Sequence, residues 1–293
     1  MKKTSFLTLL ALICSVSFSF ITSFSATATL MDKKAKPESK VKITQEKVTL
    51  KVAVASNFLA TAKALTPAFE EQYKVSVQWI NGASGSIYQQ IKHGAPYDAF
   101  FSADKLRPEK LKASKHLLVN TVKPYTLGQL SLFSAKHPNM TLADIKNHPR
   151  NFPRIAIANP ETAPYGLAAK AWLSEHGLWQ AYKKSLIVGS NVGQTFQQVR
   201  TKAVDAGFVS SGQLVAHQLV TVPVPLKNPE QLLQYAGVLT NSKNAETAEL
   251  LIDYFRTESV QLKLSELGYL PLSQSQLASN EAPENKLVTA EYN

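Results

Sequence analysis

Cysteine is almost missing from this 293-residue chain; Cys14 is the only one. It falls in an apolar stretch (6–21) that reads as the core of a secretory leader, so no disulfide and no thiol chemistry is expected in the mature protein. Charged residues make up 18%, below the usual ~25%, while the 44% hydrophobic content is enough for a large core. Beyond the leader no apolar run is long enough for a bilayer span of ~20 residues. The six histidines are scattered, and none sits in a His-Glu-x-x-His pair. There is no P-loop, so the chain does not hydrolyse ATP. Gly82-Ala83-Ser84-Gly85-Ser86 lacks the second glycine of a nucleophile elbow, which would fall at 86. Neither a catalytic residue nor a free metal cation or cofactor is expected, and the chain is not read as an enzyme.

The +11 formal charge points to nucleic acid only until it is located. Residues 1–51 hold nine lysines against Asp32, Glu38 and Glu46, a net of +6 that leaves +5 for the other 242 residues. No basic stripe with interleaved aromatics occurs elsewhere, so nucleic acid is not an expected partner. The N-terminus has the parts of an export signal: Lys2 and Lys3, the apolar stretch, then Ala26-Thr27-Ala28 before a cleavage site. Ile13 is too bulky for the residue before a lipidated cysteine. The expected organisation is a signal peptide (1–28), a flexible linker (29–47), one lobe from 48–126 plus 236–272, a second lobe from 127–235, and a loose polar tail (273–293).

From Val48 onward short apolar runs alternate with helical patterns, which predicts an α/β fold with mostly parallel sheets. Pro67 predicts a kink or early end in the first helix. Residues 127–133 read as one longer strand crossing between lobes, and 232–239 as the strand that returns. Two similar halves, one inserted into the other, describe a two-lobed clamp, and ligands in such sheets sit beyond the carboxyl ends of the strands.

Four strand-to-helix junctions lie there: Ala55-Ser56-Asn57; Asn81-Gly82-Ala83-Ser84-Gly85-Ser86; 158–166, where Pro164 at a first helical turn leaves the Tyr165 N–H nearly free; and Gly189-Ser190-Asn191-Val192-Gly193, where the Val192 N–H is the analogous donor. Glycines 82 and 85 are expected to supply unusual backbone conformations. Ser84 and Ser86 are candidate caps, and Ser86 serves either as a second cap or as a second donor. Helix starts of this kind attract anions. These loops offer hydroxyls, amides and N–H groups but no Arg or Lys. A neutral cage can still hold an ionised oxyanion, because hydrogen bonds to charged groups are worth roughly 1.5–3 kcal/mol each. Donors without acceptors favour fully deprotonated tetrahedral dianions. Asp98 and Asp104 read as turn and helix-cap residues rather than an acid–base pair.

Lys51-Val-Ala-Val-Ala-Ser56, the 82–86 loop, Gly94-Ala95-Pro96-Tyr97-Asp98 and Phe101-Ser102-Ala103-Asp104 resemble the periplasmic molybdate-binding proteins, as do 159–166, Val192 and Gly207-Phe208-Val209. The resemblance runs over about residues 48–271, and 94–104 is its most specific part. It implies a periplasmic-binding-protein fold of the class II type, with molybdate or tungstate held between the lobes. It also implies a periplasmic monomer that delivers its ligand to an ABC permease and its cytoplasmic ATPase. Carried over by motif, Ser56 and Ser84 would donate hydroxyls and N–H groups, Asn57 a further donor, and Tyr165 and Val192 backbone N–H groups. Many members carry a tyrosine where this chain has Ser210; the Tyr165 phenol is then a candidate replacement. The competing expectations are the same fold binding sulfate, phosphate or a small organic anion, then a hydrolase or an extracytoplasmic sensor.

Overall fold

β1 (Thr49–Ala55) is apolar at nearly every position and buried from Val52 onward, as befits a strand covered on both faces. In the computed structural model, which describes residues 47–278, it is the second strand of a five-stranded sheet. The order there is β2 (Ser76–Gly82), β1, β3 (Ala99–Phe101), β10 (Leu233–Val238) and β4 (Lys123–Leu127). A second five-stranded sheet runs β7 (Ile187–Gly189), β6 (Ile155–Ala158), β8 (Ala206–Ser210), β5 (Leu130–Phe133) and β9 (Val222–Pro223). The expected leader, the linker up to 46 and the tail from 279 lie outside the described residues.

Eleven α-helices accompany these strands among the described residues. Around the first sheet lie α1 (Leu59–Tyr73), α2 (Ser84–Lys92) and α3 (Leu106–Ala113). With the second come α4 (Leu142–Asn147), α5 (Pro164–Glu175), α6 (Trp179–Tyr182), α7 (Val192–Arg200) and α8 (Ser211–Ala216). The chain then returns through α9 (Ala245–Arg256), α10 (Glu258–Glu266) and α11 (Gln274–Ala278). None of the described helices is long and apolar enough to cross a membrane.

The sheets are more mixed than expected. β1 is parallel to β2 and β3, but β10 is antiparallel to both β3 and β4. Likewise β6 is parallel to β7 and β8, whereas β5 is antiparallel to β8 and β9. The exceptions all involve the strands that carry the chain between halves, which enter each sheet from the opposite end. Residues 127–133 are not one strand. Gly128 and Gln129 separate β4 from β5, and the two strands belong to different sheets.

Three other expectations change. Pro67 does not break α1, which runs fifteen residues through it; Leu65, Thr66 and Phe69 are buried on either side, and that packing outweighs one lost backbone bond. Residues 274–278 form α11 where a loose tail was expected. The glycines of the 82–86 loop adopt ordinary backbone angles, since positive φ among glycines falls at Gly94, Gly177 and Gly268. The first half's core stacks Phe58 edge-on to Tyr125, Phe255 and Tyr269, at centroid distances of 4.9, 5.4 and 5.3 Å. In the second half Trp172, Phe208 and Phe196 are buried with Ile155 and Ile157.

Candidate functional site

Each sheet ends in loops that face the other half, and the strand-to-helix junctions meet there. A cavity is lined by Ala55, Ser56, Asn57, Gly82, Ala83, Ser84 and Ala103 from the first half and by Ala163, Pro164, Tyr165 and Val192 from the second. At about 10 Å³ it is close to the least room that one water needs. Sites for organic ligands typically measure ~300–1,000 Å³. Larger clefts of about 630 Å³ beside Asp98 and 400 Å³ beside Met140 each lie within one half. Only the small cavity, among these, joins the two, and no charged residue lines it.

Ser56 follows β1 and is buried. Its N–H donates to the Gly82 carbonyl at 3.0 Å, so it is not available to a ligand. Its Oγ accepts from the Gly193 N–H at 3.3 Å, which leaves the hydroxyl proton to donate. Ser84 begins α2 at its first position, while the N-cap is Ala83. Ser84 Oγ accepts from the Ala103 N–H at 2.9 Å, and again its own proton is left over. The backbone N–H groups of Asn57, Ser84, Tyr165 and Val192 have no protein acceptor among the described residues. With the two hydroxyls that makes six donors on residues lining one neutral cavity. The sequence explains the arrangement: first-turn N–H groups of α2, α5 and α7 cannot bond within their helices, and Pro164 starts α5 without needing a donor.

Asn57 is engaged through its side chain. Its Nδ2 donates to Gln234 Oε1 at 3.0 Å and to Tyr165 Oη at 3.5 Å, and its Oδ1 has no partner. It does not cap α1, whose N-cap is Phe58. The Tyr165 phenol also receives Ser210 Oγ at 3.3 Å and Gln234 Nε2 at 3.5 Å. Gln234 Oε1 accepts from Tyr125 Oη at 2.8 Å, and Tyr269 Oη donates to the Asn57 carbonyl at 2.9 Å. The Tyr165 phenol therefore belongs to a buried polar network where the chain crosses between halves. Burial pushes it upward, as it does Tyr125 and, to about 12, Tyr269.

Of the residues expected at the site, Ser56, Asn57, Ser84, Tyr165 and Val192 line the cavity together. Ser210 is fully buried and stands behind it, touching the phenol and capped by Gln213, whose Oε1 accepts the Ser210 N–H at 3.2 Å. Ser86 is exposed and is not among the lining residues. Gln234, at the centre of the network, is not among the residues expected at the site; its signal in the sequence is a lone glutamine in an apolar strand. Asp98 holds the Lys51 N–H, Ser242 and Asn244 at 2.8, 2.6 and 3.2 Å, and Asp104 accepts from the Arg107 N–H and pairs with its guanidinium. Both acids are thus structural. No cluster of three or more acidic, His or Cys ligands suited to a metal occurs among the described residues.

A neutral, donor-rich cavity between two α/β halves suits a captured anion, and residues 50–270 match the profile of the bacterial extracellular solute-binding proteins. The chain belongs to that family. Among the relatives of this solute-binding protein is the molybdate-binding protein ModA of Azotobacter vinelandii, 34% identical over 226 residues, covering 75% of this chain and 89% of that one. ModA of Rhodobacter capsulatus is 29% identical over 223 residues, covering 74% and 86%. The solved Azotobacter vinelandii periplasmic molybdate-binding protein superposes with a TM-score of 0.70 at 30% identity, covering 76% of this chain and all of that one. The sulfate-binding protein SubI of Mycobacterium tuberculosis, at 12% identity and a TM-score of 0.59, shares the fold.

Proposed function

We propose that this solute-binding protein captures molybdate, and tungstate equally well, in the periplasm and delivers it to an ABC importer made of a membrane permease and a cytoplasmic ATPase. The observation that carries the reading is the set of six unpaired donors around a cavity without a charged side chain. Ser56 and Ser84 donate hydroxyls; Asn57, Ser84, Tyr165 and Val192 donate backbone N–H groups. The cage selects a small dianion with every oxygen deprotonated, because a protonated oxygen would present a hydrogen to donors alone. Six charge-assisted bonds at roughly 1.5–3 kcal/mol each suffice for micromolar binding or better after the costs of ordering. The names of the curated relatives support molybdate over other dianions. No group that binds a cofactor or carries out catalysis enters this reading, and the protein acts as a monomer.

Calorimetry with molybdate, tungstate, sulfate and phosphate tests it. Tight and equal binding of the first two, unaffected by excess sulfate, is expected. Silence with both metal oxyanions would overturn the proposal, and tighter binding of sulfate would transfer the site to that ion.

A further inference from the structure

Gly85 occupies the second position of α2 with an ordinary helical backbone. Nothing in its φ or ψ calls for glycine there, and glycine in a helix costs up to about 1 kcal/mol relative to alanine. Its surroundings give the reason. The Gly85 N–H donates to the Thr162 carbonyl of the other half at 2.8 Å. A β-carbon on Gly85 would lie 2.9 Å from both the Thr162 Cα and its carbonyl oxygen, and 3.1 Å from Arg107 Nε. The opposite half repeats the device. Gly193 is the second residue of α7, its N–H donates to Ser56 Oγ at 3.3 Å, and a β-carbon there would lie 3.0 Å from Asn191 Oδ1 of its own half and 3.3 Å from Ser56 Cβ across the cleft. In both helices the first N–H faces the cavity and the second crosses to the other half.

Arg107 completes the contact. Its guanidinium pairs with Asp104 and donates through Nη2 to the Glu161 carbonyl at 3.2 Å, one residue before Thr162. Asp104 is in turn steadied by Ser102 Oγ at 2.9 Å. The loop after β6 is thereby gripped by α2 and α3 at two adjacent carbonyls. Neither Gly85 nor Arg107 lines the cavity.

We infer that Gly85 and Arg107 form an interlobe clasp, closing on the Glu161 and Thr162 carbonyls, that sets how long the bound anion is held. The inference rests on the proposed anion site for its ligand and on these cross-lobe contacts for its mechanism. Arg107 and Gly85 are positioning residues: they stabilise the closed arrangement without touching the anion. A residue acting on closure alters escape more than encounter, because the anion first meets the open cleft.

The test is stopped-flow molybdate binding, followed by tryptophan fluorescence, on the full chain and its Arg107→Ala, Arg107→Lys and Gly85→Ala variants. Arg107→Ala is expected to release molybdate about tenfold faster with association within about twofold of the parent. Arg107→Lys should fall between the two. Gly85→Ala should release faster still while its thermal midpoint in the absence of ligand holds or rises, since alanine favours the helix. A midpoint that falls together with affinity would mean a folding defect and would overturn the clasp, as would unchanged release in both alanine variants. If the parent binds no molybdate the proposed function fails, and the clasp is then judged by hydrogen exchange of the Gly85 amide. Faster exchange in Arg107→Ala supports it, and equal exchange sinks it.

Discussion

Tyr165 Oη rests directly on the backbone of Gly128, so closely that a β-carbon at 128 would overlap the phenol oxygen and crowd Gln234 Nε2 at 2.6 Å. Gly128 is the first residue of the link between the two sheets, and its N–H donates to the Leu232 carbonyl of the returning chain at 2.9 Å. The phenol is thus lodged between both crossings. Gly128→Ala should destabilise the protein by about 1–3 kcal/mol through overpacking, read as a lower denaturation midpoint. A midpoint within error of the parent would mean that the phenol moves aside freely.

Tyr165→Phe separates two roles for the same residue. The phenol oxygen receives Asn57, Gln234 and Ser210, so its loss strands buried donors and should cost about 1–3 kcal/mol of stability. The Tyr165 N–H that faces the cavity is untouched, so molybdate affinity should fall by less than about tenfold. Calorimetry beside thermal denaturation distinguishes the outcomes. A large loss of affinity with stability unchanged would make the phenol a ligand donor in its own right.

The sequence showed the four junctions because each carries a local signal: a helix start, a proline at a first turn, small residues after an apolar strand. Ser56, Asn57, Ser84, Tyr165 and Val192 could be gathered from those signals alone. Their division of labour could not. That the Ser56 N–H goes to Gly82 depends on the register of β1 against β2, and that the Tyr165 phenol goes to Gln234 some 69 residues away depends on how the halves close. Gly85 was visible as a turn glycine, yet what it provides is the space of a missing β-carbon. The antiparallel placement of β5 and β10 escaped for a similar reason, since strand direction in each sheet depends on which half the chain arrives from.

Ser84 gives the most direct test of the cage. Ser84→Ala removes a hydroxyl donor and leaves the buried Ala103 N–H without its 2.9 Å acceptor. Affinity for molybdate should fall by about 1–3 kcal/mol, roughly five- to 150-fold in Kd. Ser86→Ala, at an exposed position outside the cavity, should leave affinity unchanged. Equal behaviour of the two variants would remove Ser84 from the site.

Asp98 should behave in the opposite way. Its carboxylate joins the start of β1 to Ser242 and Asn244, far along the chain and outside the small cavity. Asp98→Ala leaves those donors without their acceptor, and about 1–3 kcal/mol of stability should go with it. The affinity of the molecules that remain folded should match the parent. Loss of binding at full stability would return Asp98 to consideration as a functional acid.

The response to pH follows from a cage with no titrating group. Burial pushes the Tyr165 and Tyr125 phenols upward and Tyr269 to about 12, so all three remain neutral well past the physiological range. For a phenol with a raised folded pKa, the stabilising contribution is fully present below the unfolded value of about 10. It is lost as pH rises through the folded value. On the acid side Asp205 behaves in the reverse sense. Partial burial raises its carboxyl, but the Lys136 ammonium at 2.9 Å and the Arg154 N–H outweigh that and hold it below its ordinary range. Its contribution is present above the unfolded pKa and disappears as pH falls through the folded one. Between these limits neither the cage nor the buried network around the Tyr165 phenol changes charge. Molybdate affinity should therefore vary by less than about twofold from about pH 6 to 9, and should fall at lower pH only as the anion itself takes up protons. Calorimetric titrations across that interval check this. A bell-shaped or stepped dependence within it would require an ionisable donor at the anion, and the neutral cage would have to be abandoned.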